Sequence, residues 1–80
     1  MNLARAYLKK GLLLPSFLEY EKVLTLDPNN PSAHNDLGII YIQQGKLRQA
    51  ADEFETAIRL KPDYLEAKYN LEKTKQQIPL

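Results

Sequence analysis

The chain has 80 residues, among which 11 basic and 10 acidic side chains leave a net charge of +1. Nucleic-acid surfaces usually show a clustered basic excess, so this balance argues against one. The chain has no cysteine, which excludes disulfides and thiolate metal sites, and it shows neither an apolar run of about 20 residues nor a signal-peptide pattern. We therefore expect a cytoplasmic protein without a membrane or nucleic-acid partner.

Apolar residues recur at helical spacing along the whole chain and predict five helices and no strand. The predicted helices lie at about residues 1–10, 15–26, 31–43, 47–60 and 64–77. In the second, Leu18, Val23 and Leu26 form part of the apolar stripe. The start of this helix is ambiguous, because Pro15 is one candidate for its first residue and a cap at Ser16 is the other.

Glycine, asparagine and aspartate mark the ends of several predicted helices. Gly11 and Gly45 lie where a helix has to stop, and glycine adopts the left-handed conformation of that site without steric cost. Asn30 is placed to cap the third helix, which opens with a proline. Asp63, with Glu66 three residues on, resembles a capping box for the fifth helix.

A period of 34 residues relates two parts of the chain: Leu3, Tyr7, Gly11 and Pro28 recur as Leu37, Tyr41, Gly45 and Pro62. Within residues 31–64, small side chains stand where two paired helices would approach closely, at Gly38, Ala50 and Ala57. Large side chains that fill the remaining space stand at Leu37, Tyr41 and Phe54. This segment resembles a tetratricopeptide repeat, a two-helix unit that stacks into arrays.

The resemblance implies an all-α fold, a helix-turn-helix repeat array (α-solenoid) of about two and a half repeats. We expect a single domain over residues 1–80, with a degenerate truncated repeat at 1–30, a full repeat at 31–64 and a terminal capping helix at 65–80. Such arrays normally need three repeats to bury a continuous core. The chain is therefore expected to be a fragment of a longer array, or to complete its core with a second copy.

In the family, the first helix of each repeat lines a concave groove, and the resemblance implies which residues face it here. The candidate contacts are Arg5, Leu8, Lys9, Asn35, Asp36, Ile39, Ile42, Gln43, Tyr69, Asn70 and Lys73, followed by Gln76 and Gln77. Two exposed isoleucines, Ile39 and Ile42, favour a binding surface over a merely solvated helix face. We expect a non-enzymatic protein–protein interaction module that holds a peptide or protein segment in this groove.

Three consecutive leucines, Leu12, Leu13 and Leu14, stand beside the first predicted turn, where the 31–64 repeat has a polar loop. An exposed apolar cluster on a small protein usually marks an interface. The alternative is that this loop folds back over the open N-terminal edge. The second functional hypothesis is therefore a self-associating module that completes its truncated repeat by homo-oligomerisation or helix exchange.

Residues suited to catalysis are few. His34, the one histidine in the sequence, stands where the family has a large packing ring, and no serine or cysteine nucleophile pattern accompanies it. Asp52 and Glu53 fall on a helix that the family turns outward, which favours solvated carboxylates over an acid–base or metal site. We expect no enzyme activity, no metal and no cofactor. The basic patch of Arg5, Lys9 and Lys10 is small, which makes nucleic-acid binding the weakest hypothesis.

Overall fold

A computed structural model describes residues 10–79. These residues form four helices and no strand: α1 (Leu13–Leu26), α2 (Pro31–Gln43), α3 (Leu47–Leu60) and α4 (Leu65–Gln77). The all-α prediction is confirmed, whereas the predicted count of five helices is one more than the described residues contain. The helix expected at 1–10 lies outside them apart from Lys10, which belongs to a turn. None of the four helices is both long and apolar enough to cross a membrane.

Helix α1 begins earlier than either candidate start. Pro15 is the third residue of the helix, a position that tolerates proline because first-turn amides have no intrahelical acceptor. Ser16 is no cap: its side chain is buried, and its backbone N–H donates to the carbonyl of Leu12 at 3.1 Å. Leu13 and Leu14 therefore belong to the first turn of α1, and the prediction that they form a loop is wrong.

The sequence signals at the other turns are mostly confirmed. The Asn30 side chain accepts a hydrogen bond from the backbone N–H of Ala33 at 3.0 Å, which caps α2 as predicted. Gly11 and Gly45 have φ of 74° and 76°, the left-handed region where glycine carries no Cβ penalty. Asn30 and Gly45 therefore mark the two ends of α2.

The predicted capping box at Asp63 is wrong. Helix α4 begins at Leu65 after Tyr64, and no side chain caps its N-terminus. The carboxylate of Glu66 instead accepts a hydrogen bond from Asn35 on α2. A contact between helices has therefore replaced the local one that the sequence pattern predicted.

Helices α2 and α3 pack closely through the small residues that the repeat pattern predicted. A Cβ atom at Gly38 would lie 2.6 Å from Cε1 of Phe54, well inside van der Waals contact. Ala50 and Ala57 are fully buried on the facing helix. The large ring of Phe54 thus packs against the small residue Gly38. The predicted packing role of these residues, and of Ala50 and Ala57, is confirmed.

Helix α1 packs on α2 through a face that includes Val23 of the predicted stripe but not its two leucines. Its buried residues are Ser16 and Tyr20, and Tyr20 joins a core cluster with Leu37 of α2. Leu18 and Leu26, which the predicted apolar stripe turned inward, are both exposed. The large tyrosine ring fills the interior of this junction, and this sets the rotation of α1 about its own axis.

Candidate functional site

Helices α2 and α4, the first helices of successive repeats, are joined by a network of side-chain amides. The Asn35 side-chain nitrogen donates to Glu66 at 3.2 Å, and the Asn70 nitrogen donates to the Asn35 oxygen at 3.1 Å. Asn35 is 0% exposed, so its predicted place on the groove surface is corrected. Its amide holds α2 beside α4, and this contact sets the spacing of the surface that both helices present.

Asp36 is the second groove candidate that the structure buries, with 3% exposure. One carboxylate oxygen accepts a hydrogen bond from the Tyr20 hydroxyl at 2.7 Å. The prediction that Asp36 faces the groove is therefore corrected as well. A polar side chain can lie inside when a partner from another helix satisfies it, and here that partner comes from α1.

The other described groove candidates keep some exposed surface. Gln43, Tyr69 and Lys73 are exposed, together with Gln76 and Gln77, whereas Ile39, Ile42 and Asn70 are half-buried. The two isoleucines are thus less exposed than expected. We call the surface of Ile39, Ile42, Gln43, Tyr69, Asn70 and Lys73 the α2–α4 strip. Arg5, Leu8 and Lys9, which were predicted to extend it, lie outside the described residues.

The α4 side of the strip combines an aromatic ring with a cation. Tyr69 is 63% exposed, and the Lys73 ammonium lies 5.7 Å from its ring centroid, a cation–π distance. Leu65, one helical turn before Tyr69, is also exposed. Sequence reasoning missed Leu65, although its i, i+4 spacing to Tyr69 puts both side chains on one face of α4. The apolar surface therefore extends along α4 beyond the predicted contacts.

His34 lies away from the strip and connects two parts of the fold. Its Nδ1 is 2.8 Å from a carboxylate oxygen of Glu53 on α3, and its Nε2 is 2.8 Å from the carbonyl oxygen of Pro28. Both ring nitrogens are therefore engaged within the fold. Glu53 was expected to be solvated, and this expectation is wrong because its carboxylate is half-buried against the histidine.

The fold changes the acidity of the Tyr41 phenol. Its ring meets Phe17 of α1 edge-on, with centroids 6.2 Å apart. Burial raises the pKa of the Tyr41 phenol above its ordinary value, and the Glu53 and Glu21 carboxylates act in the same direction. The phenol is consequently neutral over the physiological range, which suits its place between helices.

Comparison with protein families agrees with this arrangement of helices. Tetratricopeptide repeat models match residues 1–30 and 19–51, and a TPR repeat model matches residues 38–77. The chain belongs to the tetratricopeptide repeat family. Tetratricopeptide repeats generally mediate protein–protein interaction. The match at 1–30 means that the degenerate N-terminal part is also similar to this repeat.

Two curated plant proteins contain a segment similar to this tetratricopeptide repeat chain. A tomato (Solanum lycopersicum) protein, "Probable UDP-N-acetylglucosamine--peptide N-acetylglucosaminyltransferase SPINDLY", is 42% identical over 52 residues, which are 65% of this chain and 6% of that protein. The Petunia hybrida protein of the same name is 44% identical over 49 residues, 61% of this chain and 5% of its own length. The chain spans only 6% and 5% of the length of these two relatives. The transferase activity in their names therefore describes those proteins and is not assigned to this chain.

Proposed function

We propose that this tetratricopeptide repeat chain is a non-enzymatic module that binds a segment of another protein along the α2–α4 strip. The observation that carries this proposal is the pairing of partly exposed Ile39 and Ile42 on α2 with exposed Tyr69 and Lys73 on α4. Buried Asn35 holds the two helices side by side. The strip therefore lies on two helices that these hydrogen bonds connect.

The chemistry of the strip suits a peptide with an apolar anchor. Ile39 and Ile42 retain apolar area that a ligand can cover, at about 25 cal/mol per Å² removed from water. Gln43 and Lys73 are polar groups at the edges, and such groups fix the orientation and register of a bound chain. The face of Tyr69 adds an aromatic contact, with the cation of Lys73 beside it.

The length of α2 limits how much ligand the strip can hold. This helix has 13 residues and is therefore about 20 Å long at 1.5 Å per residue. An extended peptide that runs along it for this length has about six residues at 3.3 Å each. The proposed ligand is a short linear segment, which also suits display on a peptide library.

The experiment selects ligands from a random peptide library on the 80-residue chain and measures their affinity by calorimetry. The test variant is Ile39→Glu with Ile42→Glu, and the control is Asp52→Lys with Glu55→Lys on the exposed side of α3. We expect at least a tenfold loss of affinity in the test variant alone, with the helical circular dichroism of both variants unchanged. Equal affinity in the two variants would remove the strip as the binding surface. Unfolding of the test variant would show that the isoleucines belong to the core.

Self-association is the second function that we propose. It is supported by exposed Leu12 and Leu14 at the start of α1, whereas Leu13 is half-buried and is dropped from the candidate interface. The measurement is the solution mass by light scattering on a sizing column over a concentration series. A mass above 9.2 kDa that rises with concentration supports self-association, and a constant 9.2 kDa species contradicts it.

A further inference from the structure

One face of α4 carries an acidic side chain near one end and a basic side chain near the other. Glu66 and Lys73 are seven residues apart, close to two helical turns, so both lie on the same face at a separation of about 10.5 Å along the helix axis. Tyr69 and Asn70 lie between them on this face, and both belong to the α2–α4 strip. We call Glu66 and Lys73 the α4 charge pair.

Contacts within the fold hold both members of the α4 charge pair in position. A carboxylate oxygen of Glu66 accepts a hydrogen bond from the buried Asn35 side chain at 3.2 Å, and the Lys73 ammonium lies 5.7 Å from the Tyr69 ring centroid. Both charged residues are nevertheless exposed. A carboxylate can accept several hydrogen bonds and an ammonium can donate three, and within residues 10–79 Lys73 forms no ion pair. Each group can therefore also meet a charged side chain of a partner.

The surroundings of the α4 charge pair leave the two ends of the strip with opposite charges. The strip residues of α2 are uncharged, and Asp36 of that helix is buried. Lys46 adds a second cation at the Lys73 end, where it lines a small cavity together with Ile78, the residue that follows α4. The other charged residues of α4 lie about half a turn away from this face, and these are Lys68, Glu72 and Lys75.

We propose that the partner segment is dipolar, with a basic side chain that contacts Glu66 and an acidic side chain that contacts Lys73. This inference rests on the proposed binding of a peptide along the α2–α4 strip, and it names the chemistry of that peptide. The separation of about 10.5 Å within the charge pair corresponds to about three residues of extended chain at 3.3 Å each. An apolar residue next to the two charged ones would cover Ile39 and Ile42.

A partner of uniform charge would be disfavoured at one end of the strip. An acidic segment would place a carboxylate beside Glu66, and a basic segment would place a cation beside Lys73, whereas a dipolar segment satisfies both. Like charges brought together across an interface act against the wrong partner. Exposed ion pairs contribute little individually, so the α4 charge pair is expected to select the partner more than to tighten its binding.

The first experiment compares three pools of synthetic peptides about six residues long, each with a leucine between two fixed positions that lie three residues apart. The dipolar pool has one lysine and one glutamate there, in both orders because a bound chain can run in either direction. The basic pool has two lysines, and the acidic pool has two glutamates. We expect the immobilised 80-residue chain to retain the dipolar pool at least about threefold better than either other pool. The difference should shrink in 1 M salt, where charges are screened over about 3 Å.

The outcomes of this comparison separate the charge pattern from the binding surface. If the three pools are retained equally and Ile39→Glu with Ile42→Glu abolishes their retention, the strip binds peptides and the charge pattern alone is overturned. Equal retention that survives this double substitution overturns both, and so does a chain that retains no pool. A preference for the acidic pool contradicts the role of Glu66, and a preference for the basic pool contradicts that of Lys73.

The second experiment assigns each charge to its residue. Lys73→Glu makes both members of the pair acidic and should transfer the preference to the basic pool. Glu66→Gln removes the charge but keeps a side-chain oxygen for Asn35, and it should make the retention of the dipolar and acidic pools equal. Lys75→Glu and Glu72→Gln are the matched controls on the opposite face of α4, and they should keep the native preference. The helical circular dichroism of all four variants should be unchanged, and a test variant that behaves like its control overturns the contact assigned to that residue.

Discussion

The Tyr20 hydroxyl on α1 donates a 2.7 Å hydrogen bond to Asp36 on α2, at a buried junction between two repeats. One repeat later, Phe54 stands in the place of Tyr20 and Asn70 in the place of Asp36. Phe54 has no hydroxyl, and Asn70 donates instead to Asn35. The two successive junctions thus use different hydrogen-bonded pairs. Asp36 is paired with Tyr20, and Asn70 is paired with Asn35. Exchanging one member alone should therefore destabilise the chain.

The Tyr20–Asp36 bond leads to a prediction for stability. Tyr20→Phe should lower the free energy of unfolding by about 1–3 kcal/mol, because a buried carboxylate loses a hydrogen-bond donor that water does not replace. Urea denaturation followed by circular dichroism measures the change. Tyr69→Phe is the control, since it removes a hydroxyl from an exposed ring and should cost less than about 0.5 kcal/mol. If Tyr20→Phe costs no more than this control, the buried hydrogen bond adds nothing to the junction.

Gly38 gives a prediction in which two effects have opposite signs. Alanine has a higher helix propensity than glycine by about 1 kcal/mol, so propensity alone would make Gly38→Ala stabilising. A Cβ atom at this position would lie 2.6 Å from Phe54, and overpacking of this kind costs about 1–3 kcal/mol. We expect a net loss of stability in thermal unfolding.

The control for this prediction is the same substitution in a Phe54→Leu background, where the ring that causes the overlap is gone. Gly38→Ala should be less destabilising there than in the native chain. A stabilised Gly38→Ala protein in the native background would contradict the close packing of α2 on α3.

Local patterns predicted those parts of the fold that depend on neighbours in the sequence. The Asn30 cap and the left-handed Gly45 each need only the residues beside them, and Gly38 and Phe54 follow from the repeat spacing. Asn35 and Asp36 were placed on the surface because the family resemblance turns their helix positions towards the groove. The residues that satisfy them lie 16 to 35 positions away along the chain, and hydrogen bonds over such separations leave no local pattern.

The predicted apolar stripe of α1 is only partly correct, because Val23 packs against the core cluster and the two leucines do not. Leu18 and Leu26 were assigned to the core because they are apolar, yet Tyr20 fills the junction with α2 and turns these leucines outward. An apolar stripe shows that a helix has such a face. It does not show whether that face is buried inside this chain. Only the packing of α1 on α2 shows which of its apolar side chains are buried.

The raised pKa of Tyr41 predicts a loss of stability at alkaline pH. Burial and the nearby carboxylates disfavour the phenolate in the folded chain, whereas the unfolded chain releases this proton near the ordinary value of about 10. The contribution of Tyr41 to stability is therefore complete below about pH 10 and decreases as the pH rises towards the folded-state pKa.

Urea denaturation between pH 8 and pH 11 checks this expectation against Tyr41→Phe, which has no phenol to titrate. The free energy of unfolding of the native chain should fall more steeply above pH 10 than that of the variant. Other tyrosines and lysines titrate in both proteins, so the difference between the two curves isolates Tyr41. Parallel curves would mean that the phenolate is as well accommodated in the folded chain as in water.

The amide network of Asn35 predicts how the α2–α4 strip responds to a single added charge. Asn35→Asp removes the donor to Glu66 and places a second carboxylate about 3 Å from the first, at the distance of a hydrogen bond. We expect a loss of about 2 kcal/mol or more in the free energy of unfolding at pH 7, because one hydrogen bond is lost and two like charges are brought together. Asn29→Asp adds the same charge at an exposed site and should change stability by less than about 0.5 kcal/mol.

Peptides selected on the native chain should also bind Asn35→Asp more weakly, since α2 and α4 lose the contact that sets their spacing. An Asn35→Asp protein as stable as its control would show that the network does not hold the strip together.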